Sequence, residues 1–171
     1  MFNNQNANKL LKRIKRKRIK ELSDDLDNVV FLDFDGVINI DPGNLGGPYK
    51  DNGLIKNLNN FCKEHDFKIV VISSWRKYSD YKKILYKSGL DNSIEIVGST
   101  DNLEKDRESE VIKYLEDHPY IDKFIILDDR PFNILRKYQV LTDYDFGFNK
   151  EKYEEAKKLI KQDIWNCWQS I

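Results

Sequence analysis

The chain has 171 residues, 40% of them hydrophobic, and its acidic and basic side chains are equal in number, so the formal net charge is zero. This length suits one domain with its own core, and two histidines with two cysteines that form no CxxC pair argue against a zinc site. No apolar run could span a bilayer and the N-terminus lacks the apolar stretch of a secretory signal, so we expect a soluble, cytoplasmic protein.

The first part of the chain carries a strongly basic segment. Eight lysines and arginines and no acidic residue lie between Lys9 and Lys20, whereas acidic residues outnumber basic ones by eight in the rest of the chain. Because clustered basic side chains bind phosphate backbones, we expect this segment to contact RNA or DNA. Its partial amphipathicity leaves open docking on a partner or an anionic membrane, or simple packing on the acidic body. We therefore divide the chain into a basic arm, residues 1–22, and one domain, residues 23–171.

Strand-like and helix-like segments alternate after the arm. The first, second and fourth strand-like runs are almost continuously apolar, as in parallel strands buried on both faces. The last helix begins at Asn149, a good N-cap, and runs towards Trp165 and Trp168, which we expect to pack in the core. This alternation predicts a doubly wound α/β fold with a mostly parallel sheet and helices on both faces. In chain order, the predicted elements are strand 28–32, helix 54–61, strand 67–72, helix 81–86, strand 94–97, helix 107–115, strand 124–127, strand 140–141 and the helix after Asn149.

Three of the predicted strands end in a pair of polar residues. The C-terminal ends of parallel strands meet at one edge of the sheet, where open α/β folds bind ligands. Crowded carboxylates repel each other, and a hard cation with oxygen ligands relieves that repulsion, which favours Mg²⁺. For the last pair alone, an aspartate that caps the next helix is an equal alternative. The pairs are Asp33 with Asp35, Ser73 with Ser74, and Asp128 with Asp129.

These strand ends resemble the motifs of the haloacid dehalogenase (HAD) superfamily of phosphatases. Residues 30–37, which contain Asp33-Phe34-Asp35-Gly36, resemble its first motif, Ser73-Ser74 its second and Asp128-Asp129 its fourth. The third motif, a lysine or arginine before the fourth strand, is matched best by Arg107 and next by Lys105. More narrowly, several stretches resemble the phosphatase-like domain of Swiss army knife RNA repair proteins. They are residues 72–76, 97–100, 107–111 and 126–129.

The resemblance implies a nucleophile, an acid–base residue and a metal site. Asp33 would attack the phosphorus and form an aspartyl-phosphate, while Asp35 would protonate the leaving oxygen and then activate water. Mg²⁺ would be held by Asp33, by the backbone carbonyl of Asp35 and by a carboxylate of the fourth motif. For that last ligand the resemblance favours Asp129 over Asp128.

The resemblance also implies how phosphate is bound. Ser73 or Ser74 would hydrogen-bond a phosphoryl oxygen, and Arg107, or otherwise Lys105, would neutralise the charge on nucleophile and phosphate. Arg76 follows the serines directly, so it is a candidate substrate-binding residue. The alternative for Arg76 is an ion pair with a carboxylate of the protein.

The spacing between motifs bears on the substrate. Only 37 residues separate Asp35 from Ser73, and nine lie between Val97 and Arg107, so neither gap can house a cap domain. We expect an open, cap-less site that suits a large phosphorylated substrate, such as a nucleic-acid end in repair. Two alternatives are a nucleotidase or other small-molecule phosphatase, and a nucleic-acid-binding module with a vestigial site.

Overall fold

The computed structural model describes residues 27–40, 53–78, 80–103, 106–162 and 164. Its strands are β1 (Asp27–Leu32), β2 (Phe67–Val71), β3 (Ile96–Ser99), β4 (Ile121–Asp128) and β5 (Gln139–Leu141). Its helices are α1 (Gly53–His65), α2 (Tyr81–Lys87), α3 (Arg107–Asp117) and α4 (Lys150–Ile160), with short 3-10 helices at Ser74–Lys77 and Arg136–Tyr138.

The five strands form one sheet in the order β3-β2-β1-β4-β5, and all neighbouring strands are parallel. Strand β1 lies at the centre, with Val30 level with Ile69 of β2 on one side and with Ile125 of β4 on the other. All three side chains are fully buried, as expected for strands covered on both faces. The predicted doubly wound α/β fold is therefore confirmed.

Helices cover both faces of this sheet. Phe31 of β1 meets the ring of Tyr114 in α3 edge-on, with centroids 5.7 Å apart. The ring of Phe67 in β2 contacts the ring of Phe61 in α1, with centroids 5.2 Å apart. Phe67 is paired in register with Asn28 of β1, which precedes Phe31 by three residues. Because successive strand residues alternate between faces, α1 and α3 lie on opposite sides of the sheet. Helix α4 packs against α1.

We compare two of the local predictions with the structure. Asn149 caps α4, since its side chain accepts a hydrogen bond from the backbone N–H of Lys152 at 3.1 Å, as predicted. The third strand, predicted at 94–97, is found two residues later. Asp91 holds the preceding turn, because its side chain accepts from the N–H of Ser93 and its carbonyl from the N–H of Ile94. The chain becomes extended only after that turn.

Several predicted features lie outside the described residues: the basic arm 1–22, Lys105, Trp165 and Trp168. The connections after β1 (residues 33–52) and after β3 (residues 100–106) are too short for a large cap domain. Within the described part of the chain, no helix combines the length and the apolar character needed to cross a membrane.

Candidate active site

The predicted site residues that the structure describes lie at the C-terminal edge of the sheet, around three adjacent strands. Asp33 follows β1, Ser73 follows β2, and Asp128 ends β4. One carboxylate oxygen from each of Asp33, Asp128 and Asp129 lies within 4.8 Å of the others. The sheet order places β1 between the other two strands, so this convergence follows from the topology.

Asp33 is almost completely buried and both of its carboxylate oxygens accept hydrogen bonds. Oδ1 accepts from the backbone N–H of Phe34 at 2.8 Å, and Oδ2 accepts from Nη1 of Arg107. The same Nη1 donates to Oδ2 of Asp128 at 2.6 Å. Arg107 is the first residue of α3, whose N-cap is Asp106. The helix start therefore aims a guanidinium between two buried carboxylates.

The electrostatics of this cluster are those of a crowded acidic site. Burial alone would lower the pKa of Arg107, but the charges of the nearby Asp33 and Asp128 carboxylates outweigh this effect. The pKa of Arg107 is therefore raised. Burial, followed by the charge of Asp33, raises the pKa of Asp128 to about 6. The same two causes raise the pKa of Asp129. Extra positive charge at this edge would stabilise all three ionised carboxylates.

The donor set fits a hard cation such as Mg²⁺. All three side chains of the cluster offer carboxylate oxygen, the ligand type that Mg²⁺ prefers. Asp128 is already engaged, because it pairs with Arg107 and accepts from the N–H of Arg130 at 2.8 Å. Asp129 is partly exposed. The choice between these two ligands stays a prediction, and the geometry favours Asp129.

Gly36 follows the acidic motif at a position where a side chain would not fit. Its φ is +72°, in the left-handed region that favours glycine. A Cβ added there would lie 2.8 Å from Cβ of Asp129 and 2.9 Å from its Cγ. The Gly36 carbonyl accepts a hydrogen bond from Oγ1 of Thr142 at 2.7 Å. The glycine therefore lets the first motif approach the second acidic pair closely.

Both carboxylate oxygens of Asp35 accept hydrogen bonds from side-chain N–H donors. Its Oδ1 accepts from Nδ2 of Asn39 at 2.7 Å, and its Oδ2 accepts from the indole Nε1 of Trp75 at 3.1 Å. Sequence reasoning missed Asn39 and gave Trp75 no such role. The available signal was an indole directly after the serine pair, at the same sheet edge as the acidic motif. These donors fix the orientation of the candidate acid–base carboxylate.

The two serines differ in their surroundings. Ser73 is buried, and its Oγ accepts from the backbone N–H of Trp75 at 3.4 Å, which caps the 3-10 helix Ser74–Lys77. Ser74 is exposed at the start of that helix. Which serine contacts phosphate stays a prediction.

Arg76 makes structural contacts. Its Nη2 pairs with Glu110 of α3 at 2.5 Å, and Nη1 donates to the carbonyl of Ser73 at 2.8 Å. Both charged side chains are buried, with 7% and 3% of their surface exposed. Glu110 also accepts from the N–H of Leu103 at 3.1 Å. This is the ion pair that was the alternative to a substrate contact, and the substrate role of Arg76 stays a prediction.

Comparison with known proteins gives one family. A family model described as "HAD domain in Swiss Army Knife RNA repair proteins" matches residues 29–153. The match runs from β1 into α4 and includes every motif residue discussed above. No curated protein and no solved structure gives a significant match.

Proposed function

The chain belongs to the family of HAD domains in Swiss Army Knife RNA repair proteins, and we propose that it is a Mg²⁺-dependent phosphatase acting on nucleic-acid ends. Membership indicates a hydrolase of HAD type. The observation that carries the phosphatase proposal is the contact of Arg107 with Asp33 inside a cluster of three carboxylates. This contact brings the proposed nucleophile Asp33 and the permanently charged Arg107 together with the proposed metal ligands at one edge of the sheet.

The carboxylates supply the proposed metal ligands. Asp33, the backbone carbonyl of Asp35 and Asp129 would hold Mg²⁺. When bound, Mg²⁺ neutralises negative charge on the phosphoryl oxygens. Arg107 adds a fixed positive charge at Oδ2 of Asp33. Either Ser73 or Ser74 hydrogen-bonds a phosphoryl oxygen.

The proposed reaction has two displacement steps. A carboxylate oxygen of Asp33 attacks phosphorus, the bond to the leaving oxygen breaks, and Asp35 transfers its proton to that oxygen. Water then attacks the aspartyl-phosphate while Asp35 takes up a proton from it. This step releases inorganic phosphate and restores the Asp33 carboxylate. Trp75 and Asn39 hold Asp35 in position for both proton transfers.

Three features support a nucleic-acid end as the substrate. Neither connection after β1 or β3 has room for a cap domain, so the site is open to large molecules. The segment from Lys9 to Lys20 carries eight basic residues, which suit a phosphate backbone. The matched family is described by its place in RNA repair proteins.

The test compares phosphate release from 3′- and 5′-phosphorylated oligonucleotides with release from mononucleotides, with and without Mg²⁺. We expect oligonucleotide turnover that needs Mg²⁺, disappears in Asp33→Asn and falls steeply with salt. A full-length variant with Lys15, Arg16, Lys17 and Arg18 changed to Gln should lose part of that salt dependence.

Two other results would contradict this proposal and favour a different function. Turnover of mononucleotides with little salt dependence would indicate a small-molecule phosphatase. Oligonucleotide binding without Mg²⁺-dependent turnover of any phosphate ester would indicate a binding module with a vestigial site.

A further inference from the structure

We propose that a groove next to Arg107 binds a second phosphate of the substrate, which makes the substrate a polynucleotide strand rather than an isolated phosphate ester. This inference rests on the phosphatase function proposed above. The groove has a volume of about 560 Å³ and lies between the 3-10 helix Ser74–Lys77, the first turns of α3 and the loop 130–134 after β4. Ligand pockets typically have volumes of this order.

The groove shares Arg107 and Ser74 with the candidate active site. Arg107 lines it and also donates a hydrogen bond to Asp33. Ser74, the exposed serine of the second motif, lines it as well. A strand whose terminal phosphate lies at Asp33 would therefore place its next nucleotide along this groove.

The acidic residues of the lining already have partners within the protein. Glu110 pairs with Arg76. Glu108 accepts hydrogen bonds from two backbone N–H groups of residues 133 and 135, at 3.0 and 2.8 Å. Asp106 accepts from the N–H and the hydroxyl of Ser109 at the start of α3. These three carboxylates therefore make hydrogen bonds or an ion pair with other residues of the groove walls.

Two cations of the lining are available to a ligand. Lys77 and Arg130 are both exposed, and neither side chain makes an ion pair or hydrogen bond with the residues that the structure describes. Arg130 follows the second acidic pair directly, and its charge acts on Asp129. A phosphate between these two side chains would gain charge-assisted hydrogen bonds next to the reacting phosphate.

The rest of the lining suits a nucleotide. Pro131 and Ile134 give apolar surface for a base or sugar, and Asn102 and Asn133 are polar residues able to offer amide groups for hydrogen bonds. A phosphopeptide would bring apolar and polar groups too, but no second phosphate for the two cations. The lining therefore favours a strand with phosphates in series.

The experiment measures a ratio in the full-length protein. We compare kcat/KM for a phosphorylated trinucleotide with kcat/KM for the matching mononucleotide, in wild type and in Lys77→Gln, Arg130→Gln and the double variant. Lys83→Gln is the matched control, since Lys83 is an exposed lysine on α2 outside the groove.

We expect the trinucleotide-to-mononucleotide ratio to fall about 3- to 10-fold for each lost cation. The slope of log(kcat/KM) against log[salt] for the trinucleotide should become shallower by about 0.7 in the double variant, because the two side chains together neutralise one phosphate. Lys83→Gln should keep the wild-type ratio.

A ratio unchanged in the double variant would overturn the groove proposal, and so would an equal loss on a phosphopeptide substrate. If wild type hydrolyses neither nucleotide, the proposed function itself fails. If wild type hydrolyses both and only the ratio fails to respond, the groove assignment alone fails.

Discussion

Trp75→Phe removes the indole N–H that Asp35 accepts at 3.1 Å while keeping an aromatic ring in place. The ring stacks on Phe34, with centroids 6.4 Å apart, and contacts Tyr78, so the substitution changes the hydrogen bond more than the packing. A hydrogen bond to a charged group contributes about 1.5–3 kcal/mol, and Asn39 still holds the other oxygen. Allowing for partial exposure, we expect about 1–2 kcal/mol, which is about a 5- to 30-fold loss of kcat/KM for a substrate whose leaving group needs a proton.

The assay compares two leaving groups. In the proposed mechanism, an alkyl phosphate needs a proton from Asp35 to release its alcohol, whereas p-nitrophenyl phosphate releases a stable phenolate. Trp75→Phe should therefore reduce kcat/KM, which reports the first displacement, much more for the alkyl phosphate than for the aryl phosphate. Tyr78→Phe, on an exposed neighbouring ring, should leave both rates near wild type. Equal losses on both substrates, or no loss, would refute the positioning of Asp35 by Trp75.

Three further outcomes follow from the described contacts. Gly36→Ala should displace Asp129 and weaken Mg²⁺ activation, seen as a higher half-activating Mg²⁺ concentration; an unchanged Mg²⁺ titration would contradict this. Glu110→Gln should lower the free energy of unfolding by about 3–5 kcal/mol in urea, because Arg76 keeps a buried charge without its partner; a midpoint like that of wild type would oppose it. Mg²⁺ should raise Tm more at pH 7.5 than at pH 5, because burial and the charge of Asp33 raise the pKa of Asp129 and raise that of its neighbour Asp128 to about 6. Protons therefore compete with the cation more strongly at the lower pH, and an equal rise would argue against the site.

The sheet and the convergence of the acidic groups follow from local sequence features. Continuous apolar runs with helices between them predict parallel strands, and parallel strands bring residues at their C-terminal ends to one edge. Asp33 and Asp128 meet for that reason, although 95 positions separate them in the numbering. Strand β3 begins two residues later than predicted because the Asp91 side chain stabilises a turn that competes with the strand. The apolar pattern of the sequence does not reveal such a turn.

The contacts that orient the site were beyond sequence reasoning because they join distant segments. Trp75 reaches Asp35 across 40 positions, and Arg76 reaches Glu110 across 34. Neighbours on one 3-10 helix thus face different partners, and only the fold decides which side chain points to the site. The close approach of Gly36 to Asp129 has the same origin, since a motif shows that glycine is present but not what it lies against.

The central claim is that Asp33 is the nucleophile of a Mg²⁺-dependent phosphatase. Its most direct test is mass spectrometry of the peptide that contains Asp33, after rapid acid quenching during turnover of a phosphorylated oligonucleotide. We expect a phosphoryl group on Asp33 in wild type and neither adduct nor turnover in Asp33→Asn. Asp35→Asn supplied with p-nitrophenyl phosphate, whose leaving group needs no proton, should accumulate more adduct than wild type does with the same substrate, because the attack of water is slowed. Full Mg²⁺-dependent turnover by Asp33→Asn would contradict the account.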